Sequence, residues 1–213
     1  MNTALKLTAA VAMATTASAE LRPGSCPERT QNKAIETFDR YAMAGLWYEY
    51  VWESDFSKDH GYKCSTWIVL SDEEERGPGK YVVYNNMIKH ENDEEGNPVQ
   101  NFIMFDFEWD KSSEAGQKAR AFGTRKDMED EASGVAPSTI QFIDTDYHQY
   151  VVGSACSVYG DQHEESFFMW TREKQPSMYM RKRARNALVA HGIDVEGMIK
   201  GPVVDCWGKD ILM

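Results

Sequence analysis

The residues able to do chemistry are few and scattered. The four cysteines, Cys26, Cys64, Cys156 and Cys206, include no CxxC pair, so neither a zinc ribbon nor a thioredoxin-type site is expected. The five histidines, His60, His90, His148, His163 and His191, show no metal-ligand spacing, and no metal or other cofactor is expected. His163 stands beside Glu164 and Glu165, a grouping suited to acid–base work, but it reads as a solvated turn ahead of the last strand. Asp39 and Glu49 would act as a carboxylate pair only if the fold brought them together, and nothing in the sequence does. An even cysteine count suits two disulfides instead, with three connectivities open. No catalytic set emerges.

The elements that would position these residues belong to one domain. The chain has 213 residues, 42% of them hydrophobic, enough for a sizeable core. Its formal charge of −11 repels phosphate backbones, so nucleic acid is not expected as a partner. Residues 1–19 read as a secretory signal: Lys6, a short apolar stretch over 7–14, and Ala17-Ser18-Ala19 as a small-x-small cleavage pattern. Residues 20–213 are then a single domain, secreted or in the lumen of the secretory pathway, where disulfides persist. No segment is apolar for long enough to cross a membrane as a helix. The mature chain has no Asn-x-Ser/Thr acceptor.

Eight segments have strand character: 45–53, 62–70, 80–88, 99–109, 118–126, 138–144, 150–159 and 166–173. Gly77-Pro78-Gly79, Gly96-Asn97-Pro98 and Ser133-Gly134 break the chain between them. Such short gaps favour antiparallel neighbours, and eight such strands close into a barrel with room for one small ligand. A helix follows. Pro176-Ser177 opens it, Gly192 ends it, and Met180, Ala184, Ala187, Leu188 and His191 share one face. Arg181, Lys182, Arg183 and Arg185 read as its solvated side. The expected fold is all-β: an eight-stranded antiparallel up-and-down barrel with one C-terminal helix packed outside.

Three segments in order resemble the lipocalin family. Gly45-Leu46-Trp47, preceded by Phe38-Asp39, is similar to its first motif. Thr145-Asp146-Tyr147, followed by Tyr150 and Cys156, resembles the second, and Arg172 the third. Cys26-Pro27, and the run from Arg172 through Gly192 to Met198 and Cys206, look most like apolipoprotein D-like members. The likeness covers residues 26–206 and is poorest between about 80 and 137. It implies that Arg172 stacks on Trp47 at the closed end of the barrel. It also implies the pairings Cys26–Cys156 and Cys64–Cys206.

The resemblance further implies an extracellular carrier for a small hydrophobic ligand such as a lipid, retinoid, sterol or pigment. In the last strand Arg172 sets the inward phase, which makes Phe168 and Trp170 candidate ligand contacts. Trp67, Tyr84, Phe105 and Phe107 are further candidates. With 12% aromatic residues and 11 methionines, the chain suits an adaptable apolar cavity. Two alternatives differ in class. A lipocalin-like isomerase or de-epoxidase working through a thiol would need a free cysteine, and all four have disulfide partners in this scheme. A structural subunit would use the apolar tail, Trp207 to Met213, to dock on a protein partner. Acidic residues gather in the loops of the expected open end: Glu91, Asp93, Glu94 and Glu95, then Asp127, Glu129, Asp130 and Glu131, then Asp161, Glu164 and Glu165. Such a rim favours neutral or cationic ligands over anions.

Overall fold

A computed structural model describes residues 21–28, 38–52, 62–72, 74, 77–109, 119–125, 138–195 and 198–200. Cys206, the tail 207–213, the signal-like residues 1–19 and the acidic run 127–131 lie outside these residues, as do the expectations placed on them.

In chain order the strands are β1 (Arg22–Pro23), β2 (Gly45–Trp52), β3 (Tyr62–Ser71), β4 (Lys80–Asn92), β5 (Pro98–Trp109), β6 (Arg120–Arg125), β7 (Ser138–Thr145), β8 (Tyr150–Tyr159), β9 (Gln162–Thr171) and β10 (Ile199–Lys200). Strands β2 to β9 pair with their sequence neighbours, all antiparallel. Strand β9 then pairs with β2, Tyr48 opposite Thr171 and Trp52 opposite Phe168, and the sheet closes into an eight-stranded barrel. Closure removes the two edges that an open sheet of this length would expose. The short β1 lies along β9, and β10 along the end of β2.

The hydrophobic residues alternate because one face of each strand lines the barrel. Trp47, Val69, Tyr81, Val83, Phe107, Trp109, Ile140, Phe142, Val151, Phe168 and Trp170 form one buried cluster inside. Strands β7 to β9 are apolar on both faces for a second reason. Their outer side chains Ile143, Tyr150, Val152, Phe167 and Met169 pack under α1 (Met178–Ala190), against Met180, Ala184, Ala187 and Leu188. Ser177 caps the start of α1 by accepting a hydrogen bond from the Met180 N–H at 3.2 Å. Gly192, at φ +74°, lets the chain turn back so that the Ile193 N–H reaches the Leu188 carbonyl and its own N–H that of Val189. No helix among the described residues is long and apolar enough to cross a membrane.

The boundaries depart most from the sequence reading at two strands. Strand β4 runs to Asn92 instead of 88, so Glu91 belongs to a strand and not to the loop after it. Strand β9 begins at Gln162 instead of 166, so His163, Glu164 and Glu165 belong to a strand and not to a turn. His163 is 7% exposed, and its Nδ1 lies 3.0 Å from the Gly24 carbonyl oxygen. Glu165 is buried as well. Their polar run reads as loop, yet β1 covers this stretch of β9. The sheet also gains β1 and β10, two-residue strands too short to carry a pattern.

Candidate functional site

The closed end of the barrel is built around Trp47. It is 0% exposed, and its indole Nε1–H donates to the Met43 carbonyl at 2.8 Å. The Arg172 guanidinium lies over the ring, its Cζ 3.6 Å from the centroid. The same guanidinium donates to four backbone carbonyls: Leu46 at 2.9 Å, Ala42 at 3.0 Å, Ala44 at 2.9 Å and Tyr147 at 3.3 Å. A planar fork of five donors can serve four acceptors at once, which a lysine cannot. Burial pushes the Arg172 pKa down to about 10, so the guanidinium remains the charged form at neutral pH.

Gly45 has a backbone reason to stand two residues before Trp47. Its φ is +104°, and a Cβ there would lie 3.0 Å from Arg172 Nη1. Thr145-Asp146-Tyr147 forms the turn from β7 to β8. Thr145 Oγ1 donates to the Tyr150 carbonyl and accepts from the Tyr147 N–H, while Asp146 Oδ1 accepts from the N–H groups of His148, Gln149 and Tyr150. Tyr147, at φ +62°, closes the set by accepting the Asp39 N–H on its hydroxyl at 2.9 Å. Asp39 itself accepts from the N–H groups of Tyr41 and Ala42 and so serves the backbone. No hydrogen bond joins it to Glu49.

Above this floor the inward face of each strand is aromatic. Phe38, Trp109 and Phe142 lie together, centroids 5.1–5.3 Å apart. Higher up, Phe168 stacks on Trp170 at 4.4 Å, Trp170 on Trp67 at 4.9 Å, and Trp67 leans on Phe105 at 5.6 Å. Phe105 meets Phe107 edge-on at 6.1 Å. Trp67 and Phe105 keep accessible surface although they point inward, as residues lining a cavity do.

Two glycines make room for these rings. A Cβ on Gly123 would sit 2.7 Å from Phe107 Cε1, and one on Gly153 would sit 2.6 Å from Phe168 Cζ and 2.4 Å from the Gln141 carbonyl oxygen. The second contact is backbone and cannot move cheaply. Gly153→Ala is therefore expected to lose about 2–3 kcal/mol, the upper part of the overpacking range, in urea unfolding. A loss under about 0.5 kcal/mol would show that β7 and β8 separate freely there.

A carboxylate stands in this wall. Glu49 follows Trp47 by two residues and shares its inward face. Trp67 Nε1–H donates to its Oε2 at 3.1 Å and Trp170 Nε1–H to its Oε1 at 3.2 Å. Burial raises the carboxyl pKa; hydrogen bonds from Ser65, Trp67 and Trp170 oppose the rise without cancelling it. Nearby, Asn85 Nδ2 donates to Ser65 Oγ at 2.8 Å and to the Thr66 carbonyl at 3.1 Å.

No family model and no curated protein matches the sequence. Solved structures do match the fold. Lobster apocrustacyanin A1 superposes with a TM-score of 0.59 at 17% identity, over 84% of this chain and 89% of that one. Insecticyanin from the tobacco hornworm Manduca sexta gives 0.60 at 19% identity, over 85% and 87%. A biogenic amine-binding protein gives 0.58 at 16%, over 87% and 92%. The chain has the lipocalin fold.

Within this lipocalin barrel, Phe168, Trp170, Trp67, Phe105 and Phe107 all belong to the interior cluster. Tyr84 does not. It is 38% exposed, between the inward Val83 and Asn85, and points outward. Its aromatic type suggested the lumen, but β4 carried no anchor to set its phase. Gly45, Trp47, Thr145, Asp146, Tyr147 and Arg172 meet at the closed end as described. The structure joins Cys26 to Cys156, with Cα atoms 5.9 Å apart. Cys64 is also disulfide-bonded; its expected partner, Cys206, lies outside the described residues. Glu49 as a lumen group was missed. The signal was available: if Trp47 points inward, so does the residue two further on.

Proposed function

We propose that the chain is a secreted carrier, an apolipoprotein D-like lipocalin, that holds one small hydrophobic ligand in the barrel without converting it. The observation that carries this reading is the inward aromatic wall of Phe168, Trp170, Trp67 and Phe105, of which Trp67 and Phe105 keep accessible surface inside a closed barrel. Such a wall suits a lipid, retinoid, sterol or pigment. The fold can hold a small molecule, since a biogenic amine-binding protein shares it. A carrier also fits the cysteines. Cys26, Cys64 and Cys156 are oxidised and offer no thiolate. Secretion fits the signal-like residues 1–19, and residues 20–213 then form the mature domain.

Titration with Nile red, a neutral apolar dye, is expected to quench tryptophan fluorescence and saturate at one dye per chain. Trp170→Ala should weaken the dye at least about fivefold, near 1 kcal/mol, and Tyr84→Ala should leave it unchanged. Equal losses in the two variants would place the dye on the outer surface and refute the carrier reading. Native mass spectrometry of protein from its source should show a retained small molecule.

A further inference from the structure

We propose that Glu49 is the counter-ion for a ligand carrying one organic cation, such as an ammonium group, on an apolar body. The inference rests on the carrier reading and names the ligand class for it. Glu49 sits inside the barrel with indole donors on both oxygens, Trp67 on Oε2 and Trp170 on Oε1, and a further hydrogen bond from Ser65. A carboxylate offers about four acceptor positions, so three donors leave room for one more. Among the described residues no lysine, arginine or histidine pairs with it.

A charge removed from water without a partner is costly, and a neutral acceptor would hold the two indoles with less penalty. The arrangement gains a purpose when a cation enters. An ammonium would take the remaining acceptor position on Glu49, and the neighbouring indoles, the best of the cation–π rings, would border it. Its apolar body would lie along Phe168 and Phe105. An anionic ligand meets the opposite situation, since its charge would face Glu49 in a medium of low dielectric. Outside, the end of β4 and the turn after it present exposed Glu91, Asp93, Glu94 and Glu95 at the end of the barrel away from Trp47, a field of the same sign.

The test compares decylamine, decanol and decanoate as competitors of Nile red at neutral pH. Decylamine is expected to bind at least about tenfold more tightly than decanol, as a buried charge-assisted hydrogen bond would provide, and decanoate least tightly. In Glu49→Gln the ratio of decylamine to decanol affinity should fall close to one, and in Glu49→Asp it should stay well above one. Equal affinity of decylamine and decanol in the wild type would overturn the proposal and leave the carrier reading standing. A full preference surviving in Glu49→Gln would overturn it too. If Nile red and all three competitors fail to bind, the carrier reading falls, and this proposal with it. Should Glu49→Gln not fold, the wild-type ratio decides. Between about 20 mM and about 500 mM salt the Debye length shortens from roughly 20 Å to roughly 4 Å. A preference owed to the exposed acidic turn would vanish over that range and refute the assignment to Glu49, whereas a buried pair keeps it.

Discussion

Trp47→Ala is expected to cost about 3–5 kcal/mol of unfolding free energy. The side chain is fully buried and closes one end of the barrel, so its removal leaves a cavity that the β-ladders around it cannot collapse to fill. It also strands the Met43 carbonyl that the indole N–H serves. Arg172→Ala should cost about 2–3 kcal/mol, because it uncovers the Trp47 face and releases four carbonyls together. The double variant should fall short of the summed losses by about 1 kcal/mol, since each single change already breaks the contact between them. Arg172→Lys should recover only part of the loss, as one ammonium cannot reach carbonyls on both sides of the ring. Urea unfolding of the four variants checks the set. Strict additivity would mean that the ring and the guanidinium do not touch in solution. Nile red affinity should change little in Arg172→Ala, which sits below the ligand wall.

Removing the Cys26–Cys156 bond is expected to cost about 4–5 kcal/mol. The two residues are 130 apart in sequence, and closing a loop of that length restricts the unfolded chain by about this amount in the chain-entropy model. In the folded state the bond fastens the N-terminal segment to β8. The same segment is held by other contacts: β1 pairs with β9, the Gly24 N–H donates to the Asp161 carbonyl at 2.8 Å, and Gln141 Nε2 donates to the Pro27 carbonyl at 2.8 Å. A Cys26→Ser/Cys156→Ser variant should therefore keep the segment in place at low denaturant and lose stability mainly through the unfolded state. Urea midpoints give the cost, and hydrogen exchange over residues 21–28 reports the segment. A cost below about 1 kcal/mol, or a segment that exchanges freely in the folded variant, would contradict this division. In the unmodified protein no thiol should react before unfolding, and labelling of Cys64 in the native state would revive a thiol-based reaction.

Much of the architecture was legible because it is local. Alternation over 45–53 or 150–159 is a property of one strand, and it needs no knowledge of the partner. The turn glycines and the Ser177 start of α1 are equally local. Phe168 and Trp170 were placed inward because Arg172 supplied a phase two and four residues away. Trp47 supplied the same phase for Glu49, yet a charged residue did not read as a lining group.

What tertiary structure alone decided is the phase of every strand without such an anchor, and the fate of polar residues that another segment covers. Tyr84 looks as apolar as Phe105, but Tyr81 and Val83 face the interior on β4, and a residue at odd spacing from them must face out. His163 is buried where β1 lies along β9, a pairing between residues about 140 apart. The β2–β9 register shifts between Glu49 and Val51, and the β7–β8 register between Phe142 and Asp144. One extra residue at such a point reverses which side chains face the lumen, and no local pattern announces it. The sequence by itself determined the period of each strand, the turns and the closed end. Closure of the barrel determined which half of each strand's side chains meets the ligand space, because inside and outside exist only once β9 has paired with β2.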